Sequence, residues 1–227
     1  LDNEDILPGR IVRGAKLPDD AASWSGPITL FDISNMNISK TSVQAYDAQA
    51  DYTHRTEQFG EFHVYALATW EPHFTSQPLP TSPVVDSVGF TGGPLEWRGN
   101  GGIDWYRGPF SLGWNVQYYN AYRVYSATAS AATIANSILN QGSAMIPRQL
   151  YHDLIASYRF DETAGFPGIL GGILANSEIS FGIRNVLNTE PPPLALTTAN
   201  FFGPAYSPYG DARLRRYTLS VRKSFGM

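Results

Sequence analysis

The chain is built from stretches in which apolar and polar side chains alternate residue by residue, the period of an extended strand. The clearest runs from Arg213 to Phe225: Tyr217, Leu219, Val221 and Phe225 share one face, and Arg216, Thr218, Ser220, Arg222 and Ser224 share the other. The same design recurs in pairs. Between Ser42 and Arg55, Tyr46, Ala48, Ala50 and Tyr52 oppose Asp47, Gln49 and Asp51. After the short polar Thr56-Glu-Gln, the stretch Phe59 to Phe74 sets Phe62, Val64, Ala66, Ala68 and Trp70 against Glu61, His63, Tyr65, Thr69 and Glu71, which predicts a tight hairpin. Next, Leu95, Trp97, Ile103 and Trp105 oppose Glu96, Arg98, Asn100 and Asp104. A turn at Arg107-Gly-Pro109 then leads into Phe110, Leu112, Trp114, Val116 and Tyr118, opposing Ser111, Asn115 and Gln117. The third pair is Gln149 to Asp161 and Ser177 to Leu187. Leu150, Leu154, Ala156, Tyr158 and Phe160 mark the apolar side of the first, and Ile179, Phe181 and Ile183 that of the second.

With the closing stretch, about seven long strands result, joined by short turns on one side and long connections on the other. The long connections fall near Thr75 to Pro94, Ser126 to Pro147 and Asn188 to Asp211. One short-side turn, Glu162 to Asn176, is longer than its place requires and carries Gly165-Phe-Pro-Gly-Ile-Leu-Gly-Gly172. Arg10-Ile-Val-Arg13 and Pro27-Ile-Thr-Leu-Phe31 read as two short strands around Asp19 to Gly26, or as irregular loop. Ala127 to Leu139, rich in Ala, Ser and Thr, reads as a short helix within a loop, or again as irregular loop.

Composition narrows the meaning of the alternation. Hydrophobic residues make up 43% of 227, and no apolar run approaches the roughly 20 residues of a membrane helix. Strands escape that test, because only alternate residues of a membrane barrel face lipid. The 13 Tyr, 12 Phe and 5 Trp suit aromatic girdles and suit an aromatic-rich sandwich as well. Cysteine is absent, which removes disulfides and thiolate metal sites and leaves the compartment open. The formal charge of -4 is spread along the chain with no basic block, so no nucleic-acid partner is expected. The chain begins at Leu1 without a charged and then apolar leader, an expectation of upstream sequence removed or of a fragment.

The expected fold is all-β: an antiparallel transmembrane β-barrel wall, with 1–40 as a loop region bearing short strands and 41–227 as the barrel segment. Particular motifs add a family. Gly182-Ile-Arg-Asn-Val-Leu-Asn-Thr-Glu-Pro-Pro192 resembles the penultimate strand of TonB-dependent outer-membrane receptors. Tyr206-Ser-Pro-Tyr-Gly210 and Arg215 to Phe225 resemble the loop and closing strand that follow it. Trp97-Arg98-Gly99-Asn100 ahead of Trp105-Tyr-Arg-Gly-Pro109 agrees. So does Ile146-Pro147 ahead of His152-Asp-Leu154 and Ser157-Tyr-Arg-Phe160. The likeness spans Lys40 to Phe225, and the chain departs from it in continuing past the terminal aromatic with Gly226-Met227.

A complete receptor barrel has about 22 strands around a plug, so the resemblance implies the C-terminal third of such a wall in the bacterial outer membrane. The implied partners are outer-membrane lipid, the upstream strands and plug, TonB acting through that plug, and a small nutrient ligand (a siderophore, corrinoid or carbohydrate). No cofactor or metal is implied. Ligand contact would come from the long loops and upper lumen, with Glu71, His73, Tyr119, Arg123, Tyr125, Tyr151 and Asp153 as candidate residues and Trp24, Phe90, Phe201, Phe202, Tyr206 and Tyr209 as loop aromatics. Girdle packing and loop contacts are the competing account of those aromatics. Two other classes stay open: a self-contained small barrel or sandwich with Ile28 to Ser34 as an eighth strand, and an outer-membrane enzyme acting on lipid or glycan. Against the enzyme, there is no Gly-x-Ser-x-Gly, and His54, His63, His73 and His152 form no short metal-binding pair. Gly99-Asn-Gly-Gly102 and Gly168 to Gly172 lack the strand-loop-helix setting and the Lys of a phosphate loop.

Overall fold

The computed structural model describes residues 4, 9–34, 39–161, 169–195 and 205–225. Its strands in chain order are β1 (Ile11–Arg13), β2 (Ile28–Phe31), β3 (Lys40–Thr56), β4 (Gly60–Gln77), β5 (Val85–Asp86), β6 (Trp97–Arg107) and β7 (Phe110–Tyr119). There follow β8 (Tyr122–Arg123), helix α1 (Ala131–Gln141), β9 (Met145–Ile146), β10 (Gln149–Phe160), helix α2 (Ile169–Leu174), β11 (Ser177–Arg184), β12 (Pro193–Leu194), β13 (Ala205–Tyr206) and β14 (Arg216–Lys223). Strands hold 52% of the described residues and helices 7%, which makes the protein all-β. The chain divides into two compact units, one of residues 1–42 with 75–85 and the other of 43–74 with 86–227.

In the first unit, β1 and β2 form a small antiparallel ribbon with Ile11 opposite Phe31 and a bulge between Val12 and Arg13. The Arg13 guanidinium holds Glu4 through two contacts of 2.8 Å and donates to the Gly26 carbonyl at 2.9 Å. Both short strands expected from the sequence are therefore present.

The second unit is dominated by one antiparallel sheet in the order β14-β11-β10-β7-β6-β4-β3. The sheet is large and open: β3 and β14 are its edges, and no closed barrel forms among the described residues. Its turns follow local chemistry. At the β3–β4 hairpin, Thr56 Oγ1 accepts from Phe59 N at 2.9 Å and donates to the Gly60 carbonyl at 3.0 Å, and Gly60 takes φ 87° where a side chain would strike the Tyr106 carbonyl. Between β10 and β11, the described part of the long turn is α2, whose last carbonyls receive the Lys223 ammonium: Nζ lies 2.7 Å from the Gly172 oxygen and 3.0 Å from that of Ala175. Gly165 to Gly168 lie outside the described residues.

Helix α1 sits where the Ala/Ser/Thr-rich loop suggested one. Ser130 is its N-cap, with Oγ accepting from Thr133 N at 3.2 Å, and Gly142 ends it in the left-handed region at φ 74°. The buried core also lies among the connections. Leu95, Tyr122, Val124, Ile146 and Leu194 cluster there, packed by Tyr119, Tyr125, Ile138 and Tyr209. Leu95, expected on a strand face, is instead part of this cluster, because β6 begins only at Trp97.

Candidate functional site

Register decides what each face of the sheet can do. Phe62 pairs with Trp105, Trp105 with Leu112, Leu112 with Ala156, Ala156 with Phe181 and Phe181 with Leu219, so these side chains stand on one side of all six strands. Val64, Ile103, Trp114, Leu154, Ile183 and Tyr217 form a second row on that side. The sequence alternation thus survives into space, with Trp97, Phe160 and Val221 also in phase. Nothing among the described residues covers this face: Leu112 keeps 46% of its surface, Val221 64% and Leu219 72%. His152 is a polar residue within it, and Arg107, Ser177 and Lys223 stand at its margin. The histidine is matched to Trp114 by ring stacking at 5.7 Å and accepts the indole N–H at 3.3 Å.

Aromatic residues bracket the aliphatic part of this face. Phe62 and Trp70 on β4, Trp97 and Trp105 on β6, and Phe110 and Tyr118 on β7 are each eight residues apart. At one end Tyr46, Trp70 and Trp97 stack in a row with ring separations of 5.3 and 5.7 Å. At the other, Phe110, Tyr158 and Phe160 meet edge to face at 4.8 and 4.6 Å.

The opposite face is mainly polar, with Leu67 and Ile155 as exposed apolar exceptions, and is cross-linked strand to strand. Thr69 Oγ1 donates to Asp47 at 2.6 Å, and His63 lies between Asp51 at 2.5 Å and Asp104 at 3.4 Å. Asn115 donates to the Tyr65 hydroxyl at 2.9 Å and exchanges 3.1 Å bonds with Asn100; Ser157 donates to Ser180 at 2.9 Å, and Arg159 reaches Glu178 at 3.2 Å. Arg98, Asn115, Gln117, Arg159, Arg184 and Arg222 all stand on this side. Gly99 to Gly102 are part of β6 rather than a loop. A Cβ at Gly102 would press into the Tyr65 ring, so the glycine makes room for a tyrosine laid across the strand.

Where β10, β11 and β14 meet the loops, the polar face opens into a cleft of about 590 Å³ lined by Gln117, Tyr151, Asp153, Arg184, Asn185, the segment Tyr209 to Leu214, and Arg216. Its walls are held by asparagines. Asn185, at φ 51°, closes a ring with Thr189 through two 2.8 Å bonds, and Asn188, at φ 55°, accepts from Arg215 N at 3.1 Å. A residue that tolerates the left-handed region and also bonds backbone is required at both places, which is the physical content of the Asn-Val-Leu-Asn run. Asp153 fixes β10 to this turn, accepting from Asn185 N at 2.7 Å and from Gln117 Nε2 at 3.2 Å. Gly210 closes the loop above, where any Cβ would collide with the Tyr151 hydroxyl and with Pro191.

Asp211 organises the arginines. It takes Arg213 at 2.9 and 3.0 Å through Nε and Nη2, the backbone N–H of the same residue at 3.0 Å, and Arg216 Nη2 at 2.6 Å. The side-chain bond from Arg213, then the backbone bond, then the charges of Arg213 and Arg216 hold its carboxyl at about 2. Burial and the nearby Tyr122 push the Tyr209 hydroxyl up.

Of the residues proposed from sequence, Tyr151 and Asp153 line this cleft, and Tyr119 borders it, stacked on Tyr209 at 5.4 Å. Arg123 and Tyr125 belong elsewhere: the guanidinium lies 4.5 Å over Phe90, whose ring meets Tyr125 at 5.9 Å. His73 pairs with Asp86 at 2.7 Å, and Glu71 donates its backbone N–H to the Glu96 carbonyl at 2.9 Å. Phe201 and Phe202 lie outside the described residues. Asn185, Asp211, Arg213 and Arg216 were not proposed as site residues. The Asp-x-Arg spacing of Asp211 and Arg213, a side chain folded back on its own turn, was the signal for part of that cluster. Among the described residues no group of three His, Cys, Asp or Glu side chains is placed to hold a metal ion. The chain matches no family model, no curated protein and no solved structure.

Proposed function

We propose that the chain is a wall segment of a larger β-barrel in the bacterial outer membrane, of the TonB-dependent receptor kind, and that its cleft belongs to the path of a small nutrient ligand. The observation that carries the membrane reading is the uncovered apolar face with its aromatic brackets. Eight residues span ~26 Å along a strand at ~3.3 Å each, and ~20 Å along the normal at the ~40° tilt of membrane strands. That approaches the ~25 Å apolar band of outer-membrane barrels. A soluble sandwich would lay a second sheet on this face, about 10 Å away; here the buried core lies among the loops instead.

The receptor reading rests further on the motif resemblance, whose asparagines and terminal glycine each have a structural task at the cleft. Outside energy would come through a plug and TonB, and the chain's own contribution is wall, loops and the polar cleft. The protein has no cysteine, so single introduced thiols test orientation without background. Fluorophores placed at Val64, Leu112 and Val221 in lipid vesicles should be quenched by spin-labelled lipid and not by aqueous iodide. Probes at Asn115, Ser157 and Ser220 should show the reverse. Quenching by iodide at all six positions would remove the membrane assignment.

A further inference from the structure

We propose that the cleft binds an oxyanion, a carboxylate or phosphate group carried by a small ligand, between Arg184 and Arg216. The two residues face each other directly in the β11–β14 register, so their guanidinium groups rise from adjacent strands on the polar side. Arg184 is exposed and has no hydrogen-bond or ion-pair partner among the described residues. Arg216 gives Nη2 to Asp211, while its Nε is cut off from solvent with no acceptor. A buried N–H without an acceptor is uncommon in native structures, and Asp211 engages only the Nη2 end of this guanidinium.

Charge supports the same occupant. Arg184, Arg213 and Arg216 face only Asp153 and Asp211 in the cleft lining, which leaves one positive charge over. Both carboxylates are already engaged, Asp153 by Asn185 and Gln117, and Asp211 by Arg213 and Arg216. A planar or tetrahedral oxyanion matches paired guanidinium forks by charge-assisted bonds, and the tyrosine wall of Tyr151 and Tyr209 can flank the ligand body. A second cavity on the polar face, of about 400 Å³, contains Arg159 and Arg222 but also Asp161 and Glu178, so its charges balance. It serves as the internal comparison.

The inference deepens the receptor reading, since a ligand reaches the cleft only if the polar face is wet. The test uses the full chain in detergent micelles, with citrate and inorganic phosphate as probes in titration calorimetry. Saturable binding of at least one is expected. Arg184→Gln and Arg216→Gln should each weaken it by about tenfold or more, the loss of one charge-assisted pair. Arg222→Gln, an equal loss of charge in the balanced cavity, should change it by less than about twofold. If Arg216→Gln disturbs the loop through Asp211, Arg184→Gln still decides, because Arg184 has no partner to lose. No saturable binding of either anion, or equal weakening by all three variants, overturns the site. Detergent uptake, measured by light scattering on the same samples, separates the two ideas. A chain that takes up detergent without binding either anion keeps the wall assignment and loses the site; one that binds anion without taking up detergent does the opposite.

Discussion

Replacing Val221 by Arg provides the sharpest test of the exposed face, because the residue next to it supplies the control. Val221 lies four residues from Tyr217 and four from Phe225 on the last alternating stretch. At ~3.3 Å per residue it is ~13 Å along the strand from each aromatic, or ~10 Å along the normal at ~40° tilt. That places it near the middle of the apolar band, where an Arg on a barrel's lipid face costs about 2–4 kcal/mol. Ser220, one residue away, is registered with Ser180 on the polar face of the same edge strand. Ser220→Arg should therefore cost less than about 1 kcal/mol, the size of an ordinary surface substitution. Guanidinium-driven unfolding from phosphatidylcholine vesicles, followed by tryptophan emission, gives both values. Equal destabilisation by the two variants would refute the claim that the faces see different solvents. A larger loss at Ser220 would invert the assignment of lipid and lumen.

Three further outcomes follow from the cleft. Asn185→Ala removes both bonds to Thr189 and places a β-carbon in the left-handed region, so it should destabilise by about 1–3 kcal/mol and expose the Thr189 amide to faster hydrogen exchange. Gly210→Ala drives a methyl into Tyr151 and Pro191 and should cost about 1–3 kcal/mol by overpacking, read as a lower melting temperature with weakened oxyanion binding. Asp211 is depressed in the folded chain, so its contribution is fully present above the ordinary carboxylate range near 3.8 and is lost as pH falls through about 2. A carbon-13 titration of its carboxyl should show the charged form at pH 3.5, and a midpoint near 4 would mean that the Arg213 and Arg216 clamp is not formed.

The long strands were legible because a one-sided sheet forces period-two alternation, and apart from Leu95 the apolar residues assigned to one face from Phe62 to Val221 share that face in the register. Strand ends were less legible. The last hairpin strand was expected to reach Leu187 but stops at Arg184, because Asn185 turns left-handed to cap the ladder, a choice set by its bonds to Thr189. Site residues were legible only where alternation placed them. Tyr151 and Asp153 are in phase with the polar face and reach the cleft. Arg123 and Tyr125 lie past the end of β7, where period no longer predicts direction, and they turn to Phe90. Asp211 and Arg213 belong to a loop whose shape depends on Gly210 fitting under Tyr151, a contact between segments far apart in sequence.

The open edges bind the membrane reading to a further requirement. β14 has eight residues, and in an antiparallel strand alternate residues direct their N–H and C=O groups to opposite sides. Pairing with β11 on one side leaves about four N–H and four C=O groups on the other. In water these are hydrated at little cost, whereas in hydrocarbon each unsatisfied group costs several kcal/mol, far more in sum than a domain's whole stability. The apolar face asks for lipid while the bare edge forbids it, so both hold only if β3 and β14 each pair with another strand. Hydrogen exchange along β14 in lipid vesicles separates the cases. Protection of amides on both edges of the strand accords with a completed ladder. Fast exchange on the outer edge, together with lipid quenching at Val221, would require water at that edge and would rule out closure by strand pairing.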